Sequence, residues 1–395
     1  MPKSLLVLAS YFKGERFMRQ AHARGARVYL LTWEKLLKEA WPREALTEVF
    51  AQQDKPKLDE TIRTVSYLSR ATKFDAIVAL DDFDVEIGGA LREHFRHPGM
   101  GDSGARYFRD KLAMRQRAKE RGVPVPDFTG VFNHDEVRAF TKRTPAPWMN
   151  KPRSQASAAG ITKVKSEEQL WQLIEEQGDA QSFHLLEQYL PGDVFHVDSL
   201  VVKGKIVFSL AHRCGAPPFD VAHGGGIFST VTLDRNSDQA VRLREMNEQV
   251  IAALGLEYGA AHTEFILGRD DNRFYFLESG ARVGGAHIAE CIEAASGINL
   301  WAEWANIELD RDEYVLPPVR NDYAGLLMTL SKDERPDWSG YTDPEIVYRA
   351  PEPNHAGLVV QSSDRQRVEH LLEDYKARFA RDFTAVLPAA KEPTN

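Results

Sequence analysis

The chain has 395 residues, of which 43% are hydrophobic and 27% are charged. This length is enough for two or three domains, and the composition excludes a disulfide-rich mini-protein, a collagen and a disordered tail. The 50 Lys and Arg residues against 58 Asp and Glu residues give a formal net charge of −8. An acidic chain has no general attraction to a phosphate backbone, so bulk binding of nucleic acid is disfavoured.

Cysteine usage and hydropathy predict a reducing, aqueous compartment. The two cysteines, Cys214 and Cys291, lie far apart and form neither a metal-binding nor a redox motif. No apolar run approaches the roughly 20 residues that a membrane-spanning helix needs. The apolar run at residues 5–9 is too short for a signal peptide. We therefore expect a cytoplasmic protein without membrane or nucleic-acid partners.

The N-terminal segment alternates between strand and helix patterns, which is typical of an α/β layer fold. Its three buried-strand runs lie at 5–9, 27–31 and 75–80, and its helical stretches lie at 15–24 and 58–71. The third strand ends in the acidic residues of 81–84, where a parallel sheet has a crevice at its carboxyl end. No Gly-x-Gly-x-x-Gly follows these strands, and no P-loop motif occurs anywhere. The dinucleotide interpretation is therefore weak, and an ordinary P-loop is excluded.

Turn and stop signals divide the rest of the chain. The Pro-Gly run at 97–101 marks the first boundary, and a charged helix predicted at 103–121 ends at Gly122. Short strands and helices follow, and then a second α+β block at about 193–308. The C-terminal segment is predicted to hold two strands and a helix, at 324–330, 357–361 and 365–379.

Two groups of basic residues are candidates for binding phosphate. Lys151 closes a short strand, and the small residues of 154–160 follow it. Such a loop can wrap its backbone N–H groups around phosphate oxygens while the lysine supplies a point charge, although a flexible exposed loop is the alternative. Lys111, Arg115 and Lys119 recur every four positions and share one helix face, for which a solvated cationic face is the alternative.

Two glutamates form a candidate metal site. Glu264 and Glu278 lie in strand patterns at 262–267 and 273–278, joined by turn residues, so a hairpin is predicted. In a register centred on Asp271 they lie opposite each other on one face. Facing carboxylates are destabilising unless a cation lies between them, and oxygen ligands favour Mg²⁺ or Mn²⁺. A register shifted by one residue would separate the pair and stays open as an alternative.

Two further stretches carry polar groups at turns. Arg282 follows Glu278 within the glycine-rich run 279–285, which allows close backbone approach and aims a guanidinium at the metal site. Arginine there suits a phosphoryl group or an acyl phosphate, and pairing with a neighbouring acid is the alternative. Two acids, Glu187 and Asp193, flank the turn at Pro191-Gly192. They could hold a ribose or an amino group, and ordinary turn chemistry is the alternative.

Together these features resemble the ATP-grasp superfamily, in particular its carboxylate–amine ligases, such as amino-acid ligases, and its biotin-carboxylase-like proteins. The motifs occur in the superfamily's order: Arg109-Asp110-Lys111, 122–126, Lys151-Pro152-Arg153, 187–193, Glu264, and Glu278 with Arg282-x-Gly284-Gly285. The resemblance implies a mixed α/β and α+β architecture in three domains. These are a Rossmann-like pre-ATP-grasp domain, an ATP-grasp domain with a mobile lid at about 123–190, and a small C-terminal α+β domain, at 1–105, 106–310 and 311–395.

The resemblance also implies a role for each matching residue. In similar proteins the lysines at the positions of Lys111 and Lys151 hold the phosphates of ATP, and the loop 154–160 covers them. The other implied ATP contacts are Ser154 and Ser157 in that loop, Glu187, Gln188, Tyr189 and Leu190 at the adenine, and Asp193 at the ribose. Glu264 and Glu278 match the carboxylates that bind Mg²⁺ or Mn²⁺. Arg282, with Lys151, matches the catalytic groups that steady the transferred phosphoryl group and the acyl phosphate.

The sequence departs from the family at two places. Asn commonly stands two positions after the second metal glutamate, and here that position is Gly280. One metal ligand is therefore missing or replaced, with Ser279 or water as candidates. The lid loop is rich in alanine rather than glycine, so the usual serine contact is in doubt. Nothing in the sequence marks a biotin, purine or carbamate site.

The implied function is that of an ATP-dependent ligase. It would activate a small-molecule carboxylate as an acyl phosphate and join it to an amine, with an amino acid as the expected substrate, releasing ADP and phosphate. The alternatives are a purine-pathway or carboxylase-type enzyme and a catalytically silent ATP-binding regulator. Arg213, His223 and His287 are the candidate substrate contacts, and for each histidine a structural role is the alternative. The resemblance is also compatible with a homodimer.

Overall fold

The computed structural model describes residues 2–156, 158–217, 219–221 and 225–385. The strands within these ranges form one parallel sheet and two antiparallel sheets, which follow one another along the chain. The mixed α/β and α+β class predicted from the sequence is thereby confirmed. No helix in the described part of the chain is long and apolar enough to cross a membrane.

The first sheet is parallel, with the strand order β3-β2-β1-β4. Its strands are β1 (Ser4–Ala9), β2 (Arg27–Trp33), β3 (Glu48–Gln52) and β4 (Ala76–Ala79). The helices around it are α1 (Glu15–Ala23), α2 (Leu58–Leu68), α3 (Val85–Phe95) and α4 (Asp102–Arg106), with 3₁₀ turns at Glu34–Lys38 and Arg43–Ala45. The three predicted strands are confirmed. β3 has no fully buried residue, so it lacked the apolar run that marked the others.

The prediction of one continuous helix at 103–121 is wrong. The structure has α4 and then a separate helix, α5 (Lys111–Glu120), because Asp110 caps the second helix. Its carboxylate accepts hydrogen bonds from the N–H groups of Leu112, at 3.0 Å, and Ala113, at 3.3 Å. An aspartate used in this way adopts an extended backbone conformation and begins a new helix. The cap makes Lys111 the first residue of α5.

The second sheet is antiparallel and has the order β5-β8-β6-β7. Its strands are β5 (Phe128–Gly130), β6 (Trp148–Pro152), β7 (Thr162–Val164) and β8 (His184–Gln188). Two helices pack on it, α6 (His134–Arg143) and α7 (Glu167–Gln177), and a 3₁₀ turn covers Gly178–Phe183. The sheet has its own apolar core, which includes Phe140, Trp148 and Leu186. These elements lie within the segment predicted to be a lid, and its mobility stays a prediction.

The third, central sheet is antiparallel, with the order β13-β12-β9-β10-β11-β14-β16-β15. Its strands are β9 (Gly192–Val202), β10 (Lys205–Cys214), β11 (Phe228–Thr232), β12 (Tyr258–Gly268), β13 (Phe274–Gly280), β14 (Tyr323–Leu330), β15 (Ile346–Arg349) and β16 (His355–Ser362). Its helices are α8 (Asp238–Leu254), α9 (Ile288–Ser296), α10 (Leu300–Asp310) and α11 (Arg365–Asp382), with a 3₁₀ turn at Arg311–Glu313. The strands β14 to β16 continue the same sheet, so the predicted boundary near residue 310 falls between strands of one sheet. The division into three domains stays a prediction.

Two apolar cores cover the faces of the central sheet. One joins it to the first sheet and to helices α1, α9 and α10. The other joins it to α5 and α8. Cys214 and Cys291 are free and buried, and burial raises the pKa of both thiols, so both stay protonated. Both pack in apolar clusters of the structure.

Candidate active site

A cavity of about 400 Å³ lies between the second sheet and the central sheet. Four of its apolar lining residues pack in one cluster, which we call the apolar slot: Leu190, Val194, Ile266 and Leu277. Its charged lining residues are Lys111, Lys151, Glu264, Glu278 and Arg282. Glu187, Gln188 and Tyr189 complete the wall near Leu190. The structure thus brings most of the residues singled out in the sequence around one space.

The two candidate metal carboxylates lie opposite each other. In the pairing of β12 with β13, Glu264 is the partner of Glu278, so the predicted opposition of the two glutamates is confirmed. The strands follow the register centred on Asp271 from His262 to Glu264 and are shifted by one residue nearer the turn. The Nζ of Lys111 lies 2.8 Å from Oε2 of Glu278. Burial alone would raise the pKa of Glu278, but Lys111 holds it below its usual value, so the group stays ionised. Two facing carboxylates offer the hard oxygen donors that Mg²⁺ and Mn²⁺ prefer.

Ser279 does not take the place of the missing asparagine, so that expectation is wrong. Its side chain is 1% exposed, and its Oγ lies 2.9 Å from Oγ1 of Thr263. Successive side chains of a strand point to opposite faces, so Ser279 faces away from the cavity that Glu278 lines.

Glu187 is a buried carboxylate between two cations. Its Oε2 accepts a hydrogen bond from Nε of Arg115 at 2.7 Å, and its Oε1 accepts one from Nζ of Lys151. Burial would raise the pKa of Glu187, but Arg115 and Lys151 together hold it below its usual value. The carboxylate therefore fixes Lys151 at the cavity wall. The alternative for Lys111, Arg115 and Lys119 was a solvated cationic helix face. It is wrong for Arg115, which is 1% exposed, and it holds only for Lys119, which is exposed.

The start of α5 holds the loop that follows Lys151. The backbone N–H of Lys111 donates to the carbonyl of Arg153 at 2.8 Å, and its Nζ donates to the carbonyl of Gln155 at 2.6 Å. Arg109 donates to the carbonyl of Ser154. Ser154 itself is exposed and does not line the cavity, and Ser157 lies outside the described residues. The contacts of both serines with ATP stay predictions.

Arg282 is bound by an acid from the first sheet. Its Nε donates to Oδ2 of Asp82 at 2.7 Å, which is the pairing expected as the alternative role of this arginine. Burial alone would raise the pKa of Asp82, but Arg282 and Arg109 hold it below its usual value. The guanidinium nevertheless lines the cavity. The ion pair therefore orients the arginine without removing it from the site.

The acidic run after β4 joins this site from the first sheet. Oδ2 of Asp84 accepts a hydrogen bond from the backbone N–H of Ser10 at 2.8 Å, across the carboxyl ends of β1 and β4. Burial and the neighbouring Asp81 raise the pKa of Asp84 to about 7. The sequence indicated a crevice at this edge, but it did not indicate that Asp82 would reach Arg282.

Asp193, Arg213 and His287 do not line the cavity. Asp193 and Arg213 are exposed. The side chains of His212 and Cys214 face the cavity side of β10, and Arg213, which lies between them, therefore points to the opposite face. His287 lies 3.1 Å from Oε2 of Glu352 and 3.1 Å from the Tyr348 hydroxyl. His223 lies outside the described residues. The roles assigned to these residues stay predictions.

His262 lines the cavity and was missed by the sequence analysis. It stands two positions before Glu264 on the same strand, so the two side chains share one face. That spacing is the signal that could have found it. The same face carries His196 and Asp198 on β9.

The chain resembles known ligases in sequence and in structure, although no protein-family model matches it. It is 28% identical over 246 residues to the L-arginine-specific L-amino acid ligase of Bacillus subtilis, a match covering 60% of this chain and 59% of that protein. The chain thus spans less than two thirds of the length of that relative.

Two crystal structures share the fold over almost the whole chain. An L-amino acid ligase from Bacillus licheniformis superimposes with a TM-score of 0.77 at 16% identity, over 97% of this chain and 98% of that one. The second structure is the biotin carboxylase domain of the Hydrogenobacter thermophilus 2-oxoglutarate carboxylase, solved as a dimer with MgADP and bicarbonate. It superimposes with a TM-score of 0.73 at 17% identity, over 97% of this chain and 90% of that one. The chain therefore has the ATP-grasp fold, and its resemblance to the carboxylate–amine ligases with that fold is confirmed.

Proposed function

We propose that this protein is an ATP-dependent ligase that joins a small-molecule carboxylate to an amine, with an amino acid as substrate. The observation that carries the proposal is the composition of the cavity. The apolar slot shares this cavity with three cationic side chains and with the facing pair Glu264 and Glu278. The three cations are Lys111, Lys151 and Arg282. The resemblance to an L-amino acid ligase supports the same chemistry.

The nucleotide would lie along the cavity with its base in the apolar slot. Leu190, Ile266 and Leu277 offer flat contact for a purine, and the strand end at Gln188 and Tyr189 offers backbone groups to its edge. The phosphates would then reach Lys111 and Lys151, two point charges that come from different elements. In the same proposal Asp193 binds the ribose, the loop 154–160 covers the phosphates, and the second sheet closes over the nucleotide.

Glu264 and Glu278 would hold Mg²⁺ or Mn²⁺ in the cavity. The two carboxylates fit such an ion because they supply oxygen ligands, are partners across one strand pair and both line the cavity. A divalent cation there would neutralise the charge of the β- and γ-phosphates.

The chain's own residues would position the reactants and stabilise charge. A carboxylate oxygen of the first substrate attacks the γ-phosphorus of ATP, the bond to ADP breaks, and an acyl phosphate forms. The amine nitrogen then attacks the acyl carbon, the bond to phosphate breaks, and the amine loses a proton. Arg282, held by Asp82, would stabilise the negative charge that grows on the phosphoryl and acyl oxygens. Closure of the second sheet over the nucleotide would exclude water.

Release of phosphate from MgATP tests the proposal. The purified protein is incubated with MgATP and a pool of amino acids and small carboxylates, with Lys151→Ala as the control variant. Release that requires the pool and is lost in Lys151→Ala supports a ligase, and dividing the pool then identifies the substrates. Binding of MgATP without release from any acid and amine pair would instead indicate a nucleotide-binding protein without turnover.

A further inference from the structure

A chain of buried polar side chains lies behind Glu264. It consists of His196 and Asp198 on β9 and His262 on β12, and we call it the histidine–aspartate chain. His262 is the strand partner of Asp198, and Glu264 is the strand partner of His196. His196 is 2% exposed and Asp198 is 0% exposed. Polar groups this deeply buried in a sheet need a full set of hydrogen-bond partners.

The two links to Asp198 have hydrogen-bond geometry. Nδ1 of His196 lies 2.7 Å from Oδ2 of Asp198, and Nδ1 of His262 lies 2.9 Å from Oδ1 of the same carboxylate. An ionised carboxylate only accepts hydrogen bonds, so both imidazoles donate through Nδ1. Nε2 of His262 is then the atom that faces Oε1 of Glu264, at 3.5 Å. The chain ends at the candidate metal carboxylate.

The surroundings leave the chain little freedom to rearrange. Nε2 of His196 lies 2.8 Å from Oγ1 of Thr230, and its ring stacks on that of His212 with centroids 4.8 Å apart and planes 4° apart. From the other side, a Cβ on Gly284 would lie 2.8 Å from Oδ1 of Asp198 and 3.1 Å from Nδ1 of His262. The backbone of the glycine-rich run therefore closes over the carboxylate. Packing on both sides holds His262 in one orientation.

The same three residues could be considered as metal ligands, since their ligand atoms lie within 4.8 Å of one another. Their geometry argues against this. Both oxygens of Asp198 already accept hydrogen bonds, and a metal would need the Nδ1 atoms without their protons. The arrangement is that of groups that support a neighbouring ligand.

We propose that the histidine–aspartate chain positions Glu264, and thereby sets the affinity of the site for its divalent cation. Asp198, anchored by His196, fixes the ring of His262. That ring packs beside the Glu264 carboxylate, with Nε2 3.5 Å from Oε1, and so limits the positions that the carboxylate can take. Side chains that hold a metal ligand in place typically change metal affinity about 10- to 100-fold when they are removed. The inference rests on the proposed role of Glu264 in metal binding.

Binding of Mn²⁺ to the protein saturated with the ATP analogue AMP-PNP tests the inference without turnover. Electron paramagnetic resonance measures free Mn²⁺ during the titration. We expect Asp198→Asn and His262→Asn to weaken Mn²⁺ binding by about 10-fold or more. Thr230→Val keeps the shape of the core and removes the hydroxyl that contacts Nε2 of His196 and the carbonyl of Arg213, so it should give a smaller loss. Thr263→Val is the matched control, because it removes a buried hydrogen bond to Ser279 on the opposite face of β12, and it should leave Mn²⁺ binding unchanged.

The outcomes separate this inference from the proposed function. If Glu264→Gln leaves Mn²⁺ binding unchanged, the metal role of Glu264 is wrong. If Glu264→Gln weakens binding but the chain variants, folded by circular dichroism, do not, the positioning role is overturned. Should Asp198→Asn not fold, Thr230→Val decides the question alone. If Glu264→Gln still retains one metal ion per protein without nucleotide, and Asp198→Asn does not, the cluster itself is a metal site and the inference is overturned.

Discussion

A Cβ atom on Gly280 would lie 2.8 Å from Oδ1 of Asp82. The same Cβ would lie 3.3 Å from Cγ of Arg282, which is bound to the other oxygen of Asp82. The absence of a side chain at this position is therefore what lets an acid of the first sheet meet the arginine of the central sheet. The departure from the family's asparagine has a steric consequence within the site.

We expect Gly280→Ala to displace Asp82 from Arg282 and to lower kcat by about 10-fold or more, since charge stabilisation depends on the orientation of the arginine. The stability of the fold should change little, because the first atom to move is the end of a side chain. Asp82→Asn should lower kcat by a similar factor. If the two changes act through one ion pair, the double variant should be no worse than either single one. Additive losses in kcat would contradict this explanation.

Local sequence patterns predicted the parts of the site that lie within one hairpin. Glu264 and Glu278 face each other as predicted. Next to the turn, however, Leu267 pairs with Phe274, one residue out of the predicted register, and an irregularity between Glu264 and Phe265 restores it. The hairpin was visible in the sequence, but this irregularity was not. The capping role of Asp110 was missed, because a charged residue at that position also suits a helix interior.

Contacts between distant segments could not be predicted in the same way. Asp82 and Arg282 are 200 positions apart, and Arg115 and Glu187 are 72 apart. Whether such pairs meet depends on how the sheets pack on one another, and no periodicity in the sequence encodes that. The chemistry of each residue was visible in the sequence, but its partner was not.

The buried carboxylate of Glu187 should be essential for stability. Glu187→Gln leaves the guanidinium of Arg115 buried without its counter-charge, and breaking a buried ion pair in this way costs about 3–5 kcal/mol. Urea unfolding of the variant measures the loss. Arg138→Gln provides the control, because the exposed pair of Arg138 with Asp135 contributes at most about 1 kcal/mol. An equal, small effect of the two substitutions would show that Arg115 finds other partners.

Glu278 should support the fold as well as the site. Glu278→Gln leaves Nζ of the largely buried Lys111 without its counter-charge, so the free energy of unfolding without a divalent cation should fall. Relief of the repulsion with the facing Glu264 offsets part of this loss. Turnover should be lost, and the thermal shift caused by MgATP should shrink. An unchanged free energy of unfolding, measured by urea unfolding without metal, would mean that the ion pair of Glu278 with Lys111 does not support the fold.

The ion pairs of His287 should make stability depend on pH. Burial would lower the pKa of His287, but Glu290 and Glu352 raise it to about 9, against an ordinary value of about 6.5. A pKa that is raised on folding gives a stabilisation that is complete below the unfolded value and is lost as the pH rises through the folded value. The difference in unfolding free energy between wild type and His287→Gln should therefore be largest near pH 6, at most about 3 kcal/mol, and should disappear above about pH 9.5.

Urea unfolding at several pH values between 6 and 9.5 measures this difference directly. In a Glu352→Gln background the difference should shrink, because one of the two carboxylates that favour the imidazolium is gone. A difference that is independent of pH would mean that His287 contributes through packing against Tyr348 and not through its charge. A difference that grows as the pH rises would mean that the neutral imidazole is the form favoured by folding, the reverse of what the two neighbouring carboxylates should produce.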